Sequence, residues 1–198
     1  AVEAGQDGND DYCDSEEAVV DLFLELTGAD AGGDWIEISS PLSGAGAFDF
    51  TAGTFTIDGQ APGLYVFVYT VNGVDPCPSD DAQVTVTINA DPVADAGADM
   101  QLDCSGLPVT LGGTGTSTGS DFTYEWSLDG TILQTSSTET NFETAQNGTF
   151  ALTVINNLTL CSHTDFVDVT TDPASPILEV DPCTDMGDGV IFLTTMSG

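Results

Sequence analysis

Apolar residues along this chain recur mainly at every second position. The runs Leu64-Tyr65-Val66-Phe67-Val68-Tyr69-Thr70-Val71 and Gln83-Val84-Thr85-Val86-Thr87-Ile88 show it first. Thr149-Phe150-Ala151-Leu152-Thr153-Val154 and Phe166-Val167-Asp168-Val169-Thr170 repeat it. A period of two sends successive side chains to opposite faces of a strand, so each run predicts a strand buried on one side. Gly, Asn, Asp and Pro interrupt the runs at short intervals, which predicts many short strands joined by tight turns. Helical spacing is confined to residues 21–28. There Asp21 can cap, Leu22, Phe23 and Leu26 share a face, and Gly28 can terminate. The expected fold class is all-β, with one helical turn or two near the start.

The chain also matches itself. Ala4-Gly5-x-Asp7 leads to Cys13, and Ala96-Gly97-x-Asp99 leads to Cys104. Cys13 to Trp35 and Cys104 to Trp126 are both 22 residues. Each later pair of alternating runs starts after a turn glycine, Gly63 or Gly148, and has a cysteine, Cys77 or Cys161, between its members. Both copies close with Asp-Pro, at Asp91-Pro92 and Asp172-Pro173. Landmarks shared in one order define a tandem repeat. The expected division is 1–91, 92–173 and the start of a third, incomplete module at 174–198. Each full module has the strand density of a β-sandwich with about seven strands. Trp35 and Trp126 are expected in the cores, on the third strand; the alternative is a pair of exposed sugar-stacking rings.

The repeat suggests how five cysteines are used. Cys13–Cys77 and Cys104–Cys161 are expected to pair within modules, leaving Cys183 unpaired in this segment. Its partner is then either later in the same chain or in another chain. Wide spacing and a single histidine suit disulfides in an oxidising, extracellular setting better than a zinc or redox site.

Charge narrows the choice of partners. Of 198 residues, 33 are Asp or Glu and none is Lys or Arg. Phosphate neutralisation and docking on anionic lipid both need basic side chains, so nucleic acid is excluded and so is electrostatic membrane binding. No apolar run is long enough for a membrane span. The N-terminus lacks the basic and apolar regions of a signal peptide, so a leader was removed or the chain is an internal piece. Hydrophobic residues make up 40% of the sequence, enough for folded cores despite the charge. Salt bridges are limited to His163 and the terminal amine.

Several of these segments resemble a known family. The A-x-A-G-x-D opening, V-T-L-G-G, Phe122-Thr123-Tyr124-Glu125-Trp126 and the G-T-F-A-L-T-V strand are similar to immunoglobulin-like and PKD-like tandem repeats. Such repeats occur in giant secreted cell-surface adhesins of Bacteroidota, of the gliding-motility and type IX-secreted kind. Asp21-Leu22-Phe23 and Gly32-Gly33-Asp34-Trp35 look like a sister repeat type from the same proteins. The resemblance implies tandem immunoglobulin-like β-sandwiches at the cell surface. Two features depart from it: the PKD signature W-D-F-G-D-G is reduced to Trp126-Ser127-Leu128-Asp129-Gly130, and the late cysteines follow their strands. The second departure predicts a rim staple in each module instead of a bridge across its core.

Little chemistry is visible. His163 lies beside Ser162 and Asp165, but a catalytic triad is assembled in space, and adjacency in sequence does not make one. No catalytic residue and no enzyme activity are expected. Ca²⁺ is the one cofactor the acids suggest, since it takes six to eight hard oxygens. Asp91, Asp95 and Asp99 in the linker, with Asp7, Asp10 and Asp11 at the matching place before the first module, are the candidate ligands. The alternative is solvated linker charge. The expected function is a non-catalytic structural or adhesive stalk, its partners being neighbouring modules of the same or an adjacent chain, surface glycans or other cells. Two rivals remain: a filament subunit that donates a strand from the incomplete third module, and a glycan-binding module of a secreted enzyme.

Overall fold

Strand order in the computed structural model, which describes residues 1–103 and 106–171, divides the chain into two sandwiches. The first comprises β1 (Gly8–Cys13), β2 (Val19–Asp21), the helical turn α1 (Leu22–Glu25), β3 (Asp34–Glu37), β4 (Phe48–Asp49), β5 (Thr54–Thr56), β6 (Gly63–Val71) and β7 (Asp80–Asn89). One sheet runs β1-β7-β6-β3 and the other β2-β5-β4. The second comprises β8 (Met100–Leu102), β9 (Val109–Leu111), β10 (Phe122–Leu128), β11 (Thr131–Ser136), β12 (Phe142–Thr144), β13 (Gly148–Asn156) and β14 (Ser162–Thr171). Its sheets are β11-β10-β13-β14-β8 and β12-β9. This is the immunoglobulin-like plan, with a first strand that pairs parallel to the last. Among the described residues, no helix is long and apolar enough to cross a membrane. The segment 174–198, with Cys183, lies outside the described residues, as does Cys104.

Period-two alternation builds both cores. On β6 and β7 it turns Tyr65, Phe67, Tyr69, Val71, Ala82, Val84, Val86 and Ile88 inward. Phe55 of the facing sheet fills the space between Tyr65 and Phe67, at 4.9 and 5.0 Å. In the second module the inward set is Tyr124, Trp126, Phe150, Leu152, Val154, Val167 and Val169. The two cores share no buried residue. Asp21 starts α1 by accepting the Phe23 N–H, and Leu26 already has extended backbone, so the helix is a single turn.

The Ala-Gly-x-Asp motif owes its recurrence to one local structure. Ala4 and Ala96 are fully buried. Gly5 and Gly97 hold φ of 94° and 90°, where a side chain is strained. The Ala4 N–H donates to Asp80 Oδ2 at 2.7 Å, and the Gln83 N–H donates back to Asp7 Oδ1 at 2.8 Å. In the second module the Ala96 N–H donates to Asp165 Oδ2 at 2.8 Å and the Asp168 N–H to Asp99 Oδ1 at 3.0 Å. Two reciprocal carboxylate–amide bonds thus clamp the start of each module to its last strand. Where no Lys or Arg exists, the backbone N–H is the donor that acids find, and charge-assisted bonds of this kind are the stronger ones.

Replacing Asp165 by Ala should therefore cost the second module about 1–3 kcal/mol, because the part-buried Ala96 N–H loses its acceptor. Asp165→Asn should recover part of this, since an amide oxygen still accepts. Denaturant titration of the three proteins measures it, and an unchanged midpoint for Asp165→Ala would count against the clamp.

Equal spacing from cysteine to tryptophan does not give equal register. Trp35 pairs across to Tyr69 and then Ala82, whereas the first clamp aspartate, Asp80, pairs with Val71. Trp126 pairs to Leu152 and then Asp165, in the rung of the clamp itself. The offset is two residues, one full strand period, so both rings still face inward.

Candidate functional site at the joint between the modules

The place where the two modules meet carries most of the unusual chemistry. Because β1 runs parallel to β7, Cys13 ends beside Asn89, where the chain leaves the first module. Asp14 N–H donates to Asn89 O at 2.9 Å, and Asp91 N–H donates to Asp14 Oδ1 at 3.1 Å. The Cys13 N–H is held by Glu16 Oε1 at 3.0 Å. On the other side, Cys161 sits in the turn between β13 and β14. Leu160 N–H donates to Asn156 O and Asn156 N–H to Cys161 O, with Leu160 in the left-handed region at φ 64°. Between them the linker lies along the second module. Val93 exchanges bonds with Ser117, and the Ala94 N–H donates to His163 Nδ1 at 3.0 Å.

Cys13 and Cys161 are joined by a disulfide, with Cα atoms 5.5 Å apart and a separation of 148 positions in sequence. This corrects the pairing expected from the repeat, Cys13–Cys77 and Cys104–Cys161. Cys77 precedes the first residue of β7 while Cys13 lies beside its last. Ten residues of strand put them about 30 Å apart, and a disulfide tolerates roughly 7 Å between Cα atoms. Cys77 is exposed and free. Cys161 is committed to Cys13, so it is closed to Cys104. The bond is a staple at the rim, but it links modules instead of closing one. The cause is the parallel first strand, which places Cys13 and Cys77 at opposite ends of the first module.

Asp91 completes the joint. Its Oδ1 is buried with no hydrogen-bond partner, and a carboxylate oxygen of Asp91 lies within 4.8 Å of both sulfurs. The sulfurs are spent on each other, so the trio supplies no thiolate for a metal.

The other candidate calcium ligands are dispersed. Asp95 accepts the Gly97 and Gly115 N–H groups at 3.1 and 2.8 Å, and a Cβ on Gly113 would clash with its carboxylate. Asp99 and Asp7 serve the clamps. Asp10 accepts the Asp11 N–H at 3.0 Å and the Tyr12 hydroxyl at 2.6 Å. Among the described residues, Cys13, Asp91 and Cys161 are the one group of three possible ligands that converges. Crowding of acids has a cost where no cation offsets it. Burial, then the bond to Asp10, then Asp10, Glu25 and Glu16 raise the Tyr12 hydroxyl far above the ordinary phenol range. Burial, then Asp10 and Asp21, raise the Glu25 carboxyl. An acid raised by folding destabilises the fold once it ionises, and the cost fades as pH falls through its folded value.

The remaining candidates have structural partners. His163 accepts at Nδ1 and Asp165 accepts from Ala96, so each is bonded to the linker backbone. Trp35 and Trp126 are buried, and among the described residues the exposed aromatic rings, Phe50 and Phe166, lie on different modules. They form no sugar-stacking row. The strand donor proposed for filament assembly falls outside the described residues.

No family model matches the chain, and no curated protein matches it. Several solved structures do. The four N-terminal Ig domains of Dscam1 isoform 4.44 align with 85% of this chain and 44% of their own length, at 16% identity and a TM-score of 0.35. Extracellular domains 3–5 of Drosophila OTK align over 84% and 60%, at 12% identity and 0.42. The titin I-band fragment I67–I69 aligns over 84% and 64%, at 13% identity and 0.39. The chain spans less than two thirds of each of them. Its strand order defines the class: tandem immunoglobulin-like β-sandwich modules.

Proposed function

We propose that this chain is a segment of the shaft of a long extracellular protein, where it sets distance and transmits force without catalysing a reaction. The observation that carries this reading is the Cys13–Cys161 bond, which ties consecutive modules through their facing ends. A disulfide persists in oxidising compartments, which fits a place outside the cell. Two connections at one joint, the linker and the staple, restrict bending and twisting more than a linker alone. Net charge of one sign keeps neighbouring shafts apart. The repeat resemblance points to a surface adhesin of Bacteroidota as the parent, with the adhesive or enzymatic part elsewhere in it.

Small-angle X-ray scattering of the oxidised chain and of Cys13→Ser/Cys161→Ser tests the spacer. The oxidised chain should show one narrow set of inter-module distances, and the double variant a broader one with both modules still folded. Equal breadth in the two proteins would remove the staple from the mechanism.

A further inference from the structure

We propose that Cys77 is the acceptor for the first-strand cysteine of a preceding module, forming at the leading end of module 1 the joint that Cys161 forms between the two modules. The inference rests on reading the chain as a stapled shaft.

Each module has a leading end, where its chain enters, and a trailing end. The clamps define them alike in both copies: Ala4 is bonded to Asp80 and Ala96 to Asp165, so the start of each last strand lies at the leading end. Cys77 is three residues before Asp80, and Cys161 is four before Asp165. Both therefore sit in the turn that precedes the last strand, at the leading end. Cys13 sits at a trailing end, beside the last residue of β7. In the one joint among the described residues, a trailing-end cysteine is bonded to a leading-end one. The remaining leading-end cysteine, Cys77, is free and exposed.

The loop around it is shaped to present the thiol. The Cys77 N–H closes a turn onto Val74 O at 2.8 Å. A Cβ at Gly73 would clash with the backbone oxygens of Cys77 and Pro78, so only glycine lets the chain fold back this closely. The partner that fits is another module of this kind, offering the counterpart of Cys13. Joining them oxidises two thiols to one disulfide. The two electrons pass to a low-molecular-weight disulfide such as oxidised glutathione, whose halves leave as thiols carrying the two protons.

Two full-length proteins test this. The acceptor carries Cys104→Ser and Cys183→Ser, so that Cys77 is its free thiol. The donor carries Cys77→Ser, Cys104→Ser, Cys161→Ser and Cys183→Ser, so that Cys13 is its only cysteine. Mixed in a glutathione redox buffer, they should give a heterodimer whose peptide map contains Cys13 bonded to Cys77, and Cys77→Ser in the acceptor should abolish it. Cys77 recovered as its glutathione adduct or as a Cys77–Cys77 dimer, with heterodimer at the statistical level, would overturn the proposal. Should the donor not fold, a longer chain with a second copy of residues 1–92 ahead of Ala1 tests the same bond with no cysteine removed. The copy's trailing-end cysteine should map to Cys77, and any other partner overturns the idea. Loss of Cys13–Cys161 from the acceptor's own map would instead bring down the shaft reading, so the two failures are distinguishable.

Discussion

Trp126→Ala is expected to cost the second module about 3–5 kcal/mol while leaving the first at wild-type stability. The indole is fully buried, stacks on Phe142 at 6.0 Å and donates from Nε1 to Thr140 O at 3.0 Å. Truncation leaves a cavity between the sheets and an unpaired carbonyl. Residues of the first core make no part of that cavity, because the two buried clusters are separate. Hydrogen exchange resolved by residue reads the two modules independently, even if the second no longer folds. β13 and β14 should lose protection while β6 and β7 keep theirs. Parallel loss in both modules would show a coupling that two separate cores do not provide.

What could be read from the sequence follows from which interactions are local. The runs that became β6, β7, β13 and β14 are long and alternate cleanly, so pleat and burial agree and the strands are legible. Gly8-Asn9-Asp10-Asp11-Tyr12-Cys13 has no such pattern. It is a strand because β7 pairs with it and the clamp holds its start, and both are long-range contacts. The direction of that strand decided where Cys13 would lie, and direction leaves no trace in periodicity. The pairing expected from repeat spacing failed for this reason. Asp7 and Asp99 were visible as recurring acids with the spacing of linker ligands. Their use as acceptors for backbone N–H groups became apparent only once the last strand was in place. The equal tryptophan spacing was real, yet it survived a register shift because a two-residue slip preserves the face.

Reduction of the joint should change the mechanics of the chain more than any core substitution. Tension applied between Ala1 and Gly198 enters along β1, reaches Cys13 and crosses the disulfide to Cys161 before leaving along β14. The residues between the two cysteines are bypassed, including β6, β7, β10 and β13, the central strands of both sandwiches. Their unfolding then adds no length to the pulled chain. In Cys13→Ser/Cys161→Ser the same force must pass through both modules, and the 148-position span between the two sites becomes extensible. At 3.3–3.6 Å per residue, that adds about 500 Å to the fully stretched length. Loop-closure entropy acts in the same direction at equilibrium, with the bond worth up to about 5 kcal/mol against complete unfolding. Single-molecule pulling of the oxidised, reduced and doubly substituted chains separates the contributions. The oxidised chain should extend only by its flanking residues, and the other two should each show the added length. An oxidised chain that releases the full length would mean the modules are not stapled, and the shaft would have to depend on its linker alone. With the staple in place, tension loads β1 and β14 and bypasses every strand between the two cysteines. A protein without Lys or Arg can then carry load on covalent bonds while its cores are held by packing and its clamps by carboxylates.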